Sequence, residues 1–136
     1  MEVVIQHLGK VKFEARTRGH RLVCDQPADH GGSDSGMTPP ELLLSSLGTC
    51  AGFYAAQYLA ARSLPAEGLE VKVTAEKAAQ PARLGSFRIE VTVPGLDEKH
   101  EAGVYRAVKA CLIHNTLLNS PEIETVVKTG QLAERS

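Results

Sequence analysis

Apolar and polar positions alternate through the first 25 residues, where Val3-Val4-Ile5, Val11 with Phe13, and Leu22-Val23 stand between polar neighbours. Leu8-Gly9-Lys10 and Arg18-Gly19 break the alternation at turn-like spacing, which predicts three short strands joined by hairpins. The run from Gln26 to Pro40, QPADHGGSDSGMTPP, holds almost nothing to bury. It predicts a long loop of a kind that often carries function. Thr38-Pro39-Pro40-Glu41 has the form of a helix start, an N-cap followed by prolines in the first turn. The helix is expected to run to about Arg62, with Leu64-Pro65 ending it. Leu42, Leu43, Leu44, Leu47, Cys50, Phe53, Tyr54 and Leu59 make it apolar on nearly every face, so it is expected to be buried on all sides. Its middle is small (Ser45, Ser46, Gly48, Thr49, Ala51, Gly52), and each glycine there costs about 1 kcal/mol against alanine. A second helix is expected to meet it at that point.

Strict alternation returns at Leu69–Lys77 and Ser86–Val93, predicting an antiparallel hairpin with one wet face. Pro94-Gly95 stops it. Val104, Ala107, Val108, Cys111 and Leu112 then recur at helical spacing within an amphipathic helix expected over Asp97–Leu118, and Ile123-Val126-Val127 predicts a last short strand. Strands, long helix, two strands, helix, strand: the order predicts an α+β fold, one domain over residues 1–136. A long helix that is apolar all round is hard to cover with a single chain of this size, so a homodimer is expected.

Composition narrows the function. Among 136 residues, 15 Lys and Arg face 16 Asp and Glu, a formal net charge of −1. That balance removes the basic field on which nucleic-acid binding rests, and 4% aromatic residues with no Trp leave little for base stacking. No stretch approaches the roughly 20 apolar residues that span a bilayer. The N-terminal MEVVIQHLGKVKFEAR lacks the apolar core of a signal peptide. A soluble, cytoplasmic protein is expected, with no nucleic-acid or membrane partner and its three cysteines as thiols. His20, His30 and His100 are scattered, and without paired metal-ligand spacing no metal site is expected. Gly31-Gly32 lacks the strand–glycine–helix context of a nucleotide loop, so no cofactor is expected, and Asp29-His30-Gly31-Gly32 reads as a turn rather than a flap.

The chemistry falls to Cys50 and Cys111. Each lies in a helical, apolar context, where an ordinary reading makes it a small core hydrophobe. Against that reading, Cys50 sits among small residues where a reactant could approach its sulfur. Cys111 is followed by Leu112-Ile113-His114-Asn115, so an imidazole three residues on would share its face and favour a thiolate; His114 as a plain core or surface residue is the competing reading. Cys24, on a strand, reads as packing. No Ser-His-Asp arrangement is visible.

The run T-P-P-E-L-L-L-S-S-L-G-T-C at 38–50, together with a second cysteine about 60 residues later in Cys111-Leu112-Ile113-His114-Asn115, resembles the two signatures of the OsmC-like superfamily of osmotically induced and organic-hydroperoxide-resistance proteins. The segment R-G-H-R-L-V-C-D-Q-P with its following G-G is closer to the YhfA-type branch. The resemblance implies an intertwined homodimer with sites at the subunit interface. It implies a thiol-dependent peroxidase for organic or inorganic hydroperoxides, a stress-defence activity in which Cys50 is peroxidatic and Cys111 resolving and a thiol or lipoyl-type reductant restores the pair. Glu41 matches the acidic residue common to the superfamily and is the candidate catalytic carboxylate, although the position ten before Cys50, where the peroxidases carry glutamate, is Pro40. The peroxidases also use an N-terminal arginine at the site; of Arg16, Arg18 and Arg21, Arg18 at the hairpin tip is the candidate for substrate binding, presented by the partner subunit. Two other readings stand beside peroxidase activity: a dimer that binds a small ligand or electrophile at its interface without turnover, and a structural dimer whose cysteines are core.

Overall fold

The computed structural model describes residues 1–130. The chain opens with β1 (Val4–Gly9), β2 (Lys12–Thr17) and β3 (His20–Cys24), an antiparallel sheet in the order β1-β2-β3. Arg18 and Gly19, both at positive φ (50° and 88°), make the tight β2–β3 turn that sets Thr17 opposite His20. The central helix α1 (Pro39–Ala61) follows, then β4 (Glu70–Ala78) and β5 (Arg83–Thr92) as a two-stranded antiparallel sheet, and two short helices, α2 (Glu101–Lys109) and α3 (Leu112–Leu118). This is the α+β order expected from the alternation. None of the described helices is long and apolar enough to cross a membrane.

The polar loop before α1 is organised by one buried carboxylate. Asp25 is 1% exposed, and its oxygens accept from the amides of Gln26, Ser33 and Ser35 at 2.8, 3.1 and 3.1 Å and from the Ser35 hydroxyl at 2.6 Å. A carboxylate can be buried this way because hydrogen bonds replace its lost water. The Ser35 hydroxyl and amide, with those of Gln26 and Ser33, hold its pKa far below the ordinary carboxylate range despite burial. The loop folds back tightly enough that a Cβ on Gly32 would run into the Gln26 carbonyl, and one on Gly36 into that of Val23. Asp29 and His30 lie in a single 3-10 turn closed by Gly31 at φ 86°, so this segment is a turn.

Thr38 caps α1 in a reciprocal box: its hydroxyl accepts from the Glu41 amide while its own amide donates to Glu41 Oε1 at 3.0 Å, with Pro39 and Pro40 ahead of the glutamate. Leu47, Ala51, Ala55 and Leu59 form the buried stripe, spaced four apart. Burial on all sides is not reached within one chain, because Leu43 and Phe53 face outward, Phe53 59% exposed. The small residues at the helix centre meet a sheet rather than a second helix. Gly48 and Gly52 lie under Val73 and Val71 of β4, close enough that added Cβ atoms would stand 3.0 and 3.5 Å from the valine methyls. The bulky, β-branched strand residues thus sit over the helix where it has no side chain. Farther along, Tyr58 packs against Gly103 of α2 and hydrogen-bonds His100 Nδ1 through its hydroxyl at 3.0 Å, docking α2 on α1.

Two further expectations fail. The helix predicted over Asp97–Leu118 is three pieces, a 3-10 turn at Glu98–His100 followed by α2 and α3. The last strand is not formed: residues 119–130 have no regular structure, and Ile123 and Val127 are 85% and 87% exposed. Among the described residues neither sheet carries a strand pairing with this segment. Likewise none of the described helices is laid along the first sheet, and Val4, Ile5 and Leu22 lie in the open.

Candidate functional site

The break between α2 and α3 makes the site. Residues 109–112 (Lys-Ala-Cys-Leu) hold neither Gly nor Pro, so local propensity does not demand an interruption there. Yet Cys111 takes φ −55°, ψ 127°, leaves the helix, and lies fully buried. It is the N-cap of α3, its Sγ accepting from the His114 amide at 3.4 Å. Cys50, from the middle of α1, meets this new helix end. Its sulfur is within hydrogen-bonding reach of the Cys111 thiol and of the Ile113 and Leu112 amides.

These neighbours separate the two thiols. Burial opposes ionisation of Cys50 most strongly, but the hydrogen bonds from the Cys111 thiol and from the amides of Ile113 and Leu112 together outweigh it, and the Cys50 pKa falls below its ordinary value. Cys111 moves the other way. Its burial, and the proton it shares toward Cys50, push its pKa up, with the His114 and Ile113 amides opposing only in part. Of the two thiols, Cys50 is therefore the more readily ionised.

The other candidates fall elsewhere. Glu41 is exposed at the start of α1, nine residues before Cys50, roughly 13 Å along the axis at the helical rise. Its carboxylate is taken by the Thr38 amide and hydroxyl, which draw its pKa down. Within this chain the geometry gives Glu41 a capping position and does not bring it to the thiols. Arg18 is exposed at the β2–β3 tip, in the first sheet, beside Arg16 and Arg21 and apart from the pair. His114 acts on Cys111 through its amide, not its ring; the ring faces a groove of about 1180 Å³ lined by Leu47, Phe87, Ile89, Val104 and Leu118, with Nδ1 buried and unpartnered. Cys24 pairs with Phe13 in the sheet and is far along the chain from the others' elements. Among the described residues no three His, Cys, Asp or Glu side chains gather to hold a metal. Sequence reasoning missed the amides of Leu112 and Ile113. The N-terminus of α1 is indeed too far from Cys50 to act on it, but the start of α3 is not, and nothing in the residue types announces that start.

Cys50 of α1 and Cys111 at the start of α3 are thus two free thiols brought together in an α+β chain. The family to which it belongs is that of the OsmC-like proteins, whose family model matches residues 31–126, well over half the chain and including both cysteines. Solved structures share the fold. A Psychrobacter arcticus protein named for an osmotic stress induced and detoxification response is 22% identical, with 84% of this chain and 85% of that chain covered and a TM-score of 0.77. An OsmC-like protein from Mycoplasma pneumoniae is 21% identical over 88% and 89%, TM-score 0.69. An organic hydroperoxide resistance protein OsmC from Legionella pneumophila is 18% identical over 88% and 90%, TM-score 0.60. No curated protein sequence matches the chain.

Proposed function

We propose that this protein is a cytoplasmic thiol-dependent peroxidase that reduces hydroperoxides through Cys50 and Cys111. The observation that carries the reading is the thiol pair itself, in which Cys50 is the more readily ionised and Cys111 lies buried beside it. In the first step the Cys50 thiolate attacks the terminal peroxide oxygen; the O–O bond breaks, Cys50 becomes a sulfenic acid, and the alkoxide leaves as the alcohol after taking a proton. Cys111 is the nearest proton donor. Its thiolate then attacks the sulfenic sulfur, forming the Cys50–Cys111 disulfide and displacing hydroxide, which takes a proton from solvent to leave as water. A dithiol or lipoyl-type reductant returns both thiols. Its family membership, and the hydroperoxide resistance for which the Legionella relative is named, agree with this chemistry.

The protein works as a homodimer in this reading. The uncovered faces of the first sheet, of α1 at Phe53 and of residues 119–130 carry apolar side chains that a second copy would bury. The first sheet of that copy would bring Arg18 to the thiols, supplying a positive charge beside Cys50. Glu41 keeps the helix start in place. Loss of organic hydroperoxide should be followed with and without a dithiol reductant: with it wild-type protein consumes many equivalents and Cys50→Ser none, and without it Cys111→Ser consumes a single equivalent. Equal rates in wild type and Cys50→Ser would replace this reading with the ligand-binding one.

A further inference from the structure

We propose that closing the Cys50–Cys111 disulfide uncaps α3, so that the redox state of the pair controls the order of that helix and the wall of the groove it lines. The inference rests on the cysteine pairing of the preceding section but not on peroxidase turnover. In the reduced protein the Cys111 sulfur has two tasks. It accepts from the His114 amide at 3.4 Å, as the side-chain cap of α3, and it lies against the Cys50 sulfur. A disulfide requires the sulfurs to close to about 2.05 Å with a fixed torsion between them. One of the two residues must move to allow it. Cys50 sits in the middle of the 23-residue α1, locked between buried Leu47 and Ala51. Cys111 sits at a break between two short helices, so the displacement falls there.

The helix it caps has little else to hold it. α3 has seven residues, none of them buried and none acidic in the first turn. A helix that short is unstable alone and relies on its cap and its packing. A disulfide sulfur pulled toward α1 is a poorer, misplaced acceptor for the His114 amide. His114, Leu117 and Leu118 belong to the groove wall, so loosening α3 opens that wall. The consequence is chemical as well as structural. Cys111 is fully buried when reduced, whereas thiol–disulfide exchange needs an attacking thiolate to reach a sulfur of the bond. Uncapping adds the Cys111 sulfur to the half-buried Cys50 sulfur as a point of attack in the oxidised form.

Diamide makes the bond without a hydroperoxide: two thiols lose their hydrogens to its N=N bond, leaving a disulfide and a hydrazine. Peptide mapping should place that bond between Cys50 and Cys111, and amide exchange should be compared between the two forms. The expectation is that amides of residues 114–118 exchange about five to ten times faster when oxidised, the scale of a lost N-cap, while β4 and β5 are unchanged. Cys111→Ser, which keeps a capping oxygen and cannot form the bond, should show slow exchange with or without diamide. Unchanged α3 protection in the mapped disulfide, or no Cys50–Cys111 bond at all, overturns the proposal. Loosening of α3 by diamide in a protein that fails to consume hydroperoxide would leave it standing and remove only the peroxidase reading.

Discussion

Replacing Gly52 and Gly48 one at a time by alanine tests what covers the small-residue stripe of α1. Glycine inside a helix costs about 1 kcal/mol relative to alanine, chiefly in backbone entropy, so each substitution starts with that gain. The surroundings decide the sign. At Gly52 the new methyl would stand 3.5 Å from a Val71 methyl, an ordinary contact, and the full gain of about 1 kcal/mol should survive. At Gly48 it would stand 3.0 Å from a Val73 methyl, several tenths of an ångström too close. Val73 is β-branched and fixed in a strand, so the overlap is relieved by moving β4, at a cost of about 1 kcal/mol or more. Gly52→Ala should therefore raise the unfolding midpoint by about 4 °C for a chain of this length, and Gly48→Ala should leave it unchanged or lower it. Thermal unfolding at matched protein concentration reads both. A clear loss of stability in Gly52→Ala would refute the reasoning, showing that another backbone lies against the stripe where only β4 is seen.

Other expectations concern the charged groups and thiols. Because the Asp25 pKa is far lower folded than unfolded, its stabilisation is complete above the ordinary carboxylate range and is lost as pH falls below about 4; urea midpoints measured against pH should drop there, and Asp25→Asn should flatten that drop. Iodoacetamide should label Cys50 at lower pH than an ordinary thiol, and Cys111→Ala, which removes a hydrogen-bond donor to the thiolate, should move labelling to higher pH; an unchanged profile would deny the coupling. Glu41→Ala should lower the unfolding midpoint through loss of its capping box while turnover per folded molecule is kept, and abolished turnover would give the carboxylate a catalytic role. Arg18→Ala should cut turnover severely without altering the unfolding midpoint, whereas undiminished turnover would take Arg18 out of the site.

Much of the fold could be read from periodicity, and the reason is local. Alternation in residues 1–25, 69–77 and 86–93 marks faces that any packing partner would need, and Thr38-Pro39-Pro40-Glu41 carries its own capping chemistry. What could not be read depends on distant packing. Gly48 and Gly52 allow a close neighbour, but whether strand or helix fills the space is settled by Val71 and Val73, some twenty residues on. The break at Cys111 has no Gly or Pro to announce it, and the amides facing Cys50 exist only because of that break. The apolar spacing of Ile123, Val126 and Val127 suits a strand, yet among the described residues this segment pairs with no edge of either sheet. Cys50 and Cys111 could be named from their context; which of them ionises more readily could not, since that comes from backbone groups and burial.

The central claim is that Cys50 is the atom a hydroperoxide meets. Cys111→Ser isolates that event, because the sulfenic acid formed in the first step has no thiol partner beside it to condense with. The mutant should be given less than one equivalent of an organic hydroperoxide, trapped at once with a sulfenic-acid reagent, and mapped by mass spectrometry. The account predicts one trapped oxidation per hydroperoxide consumed, located on Cys50, with Cys24 unmodified. Trapping on Cys24, or hydroperoxide left intact beside an unmodified Cys50, would contradict it.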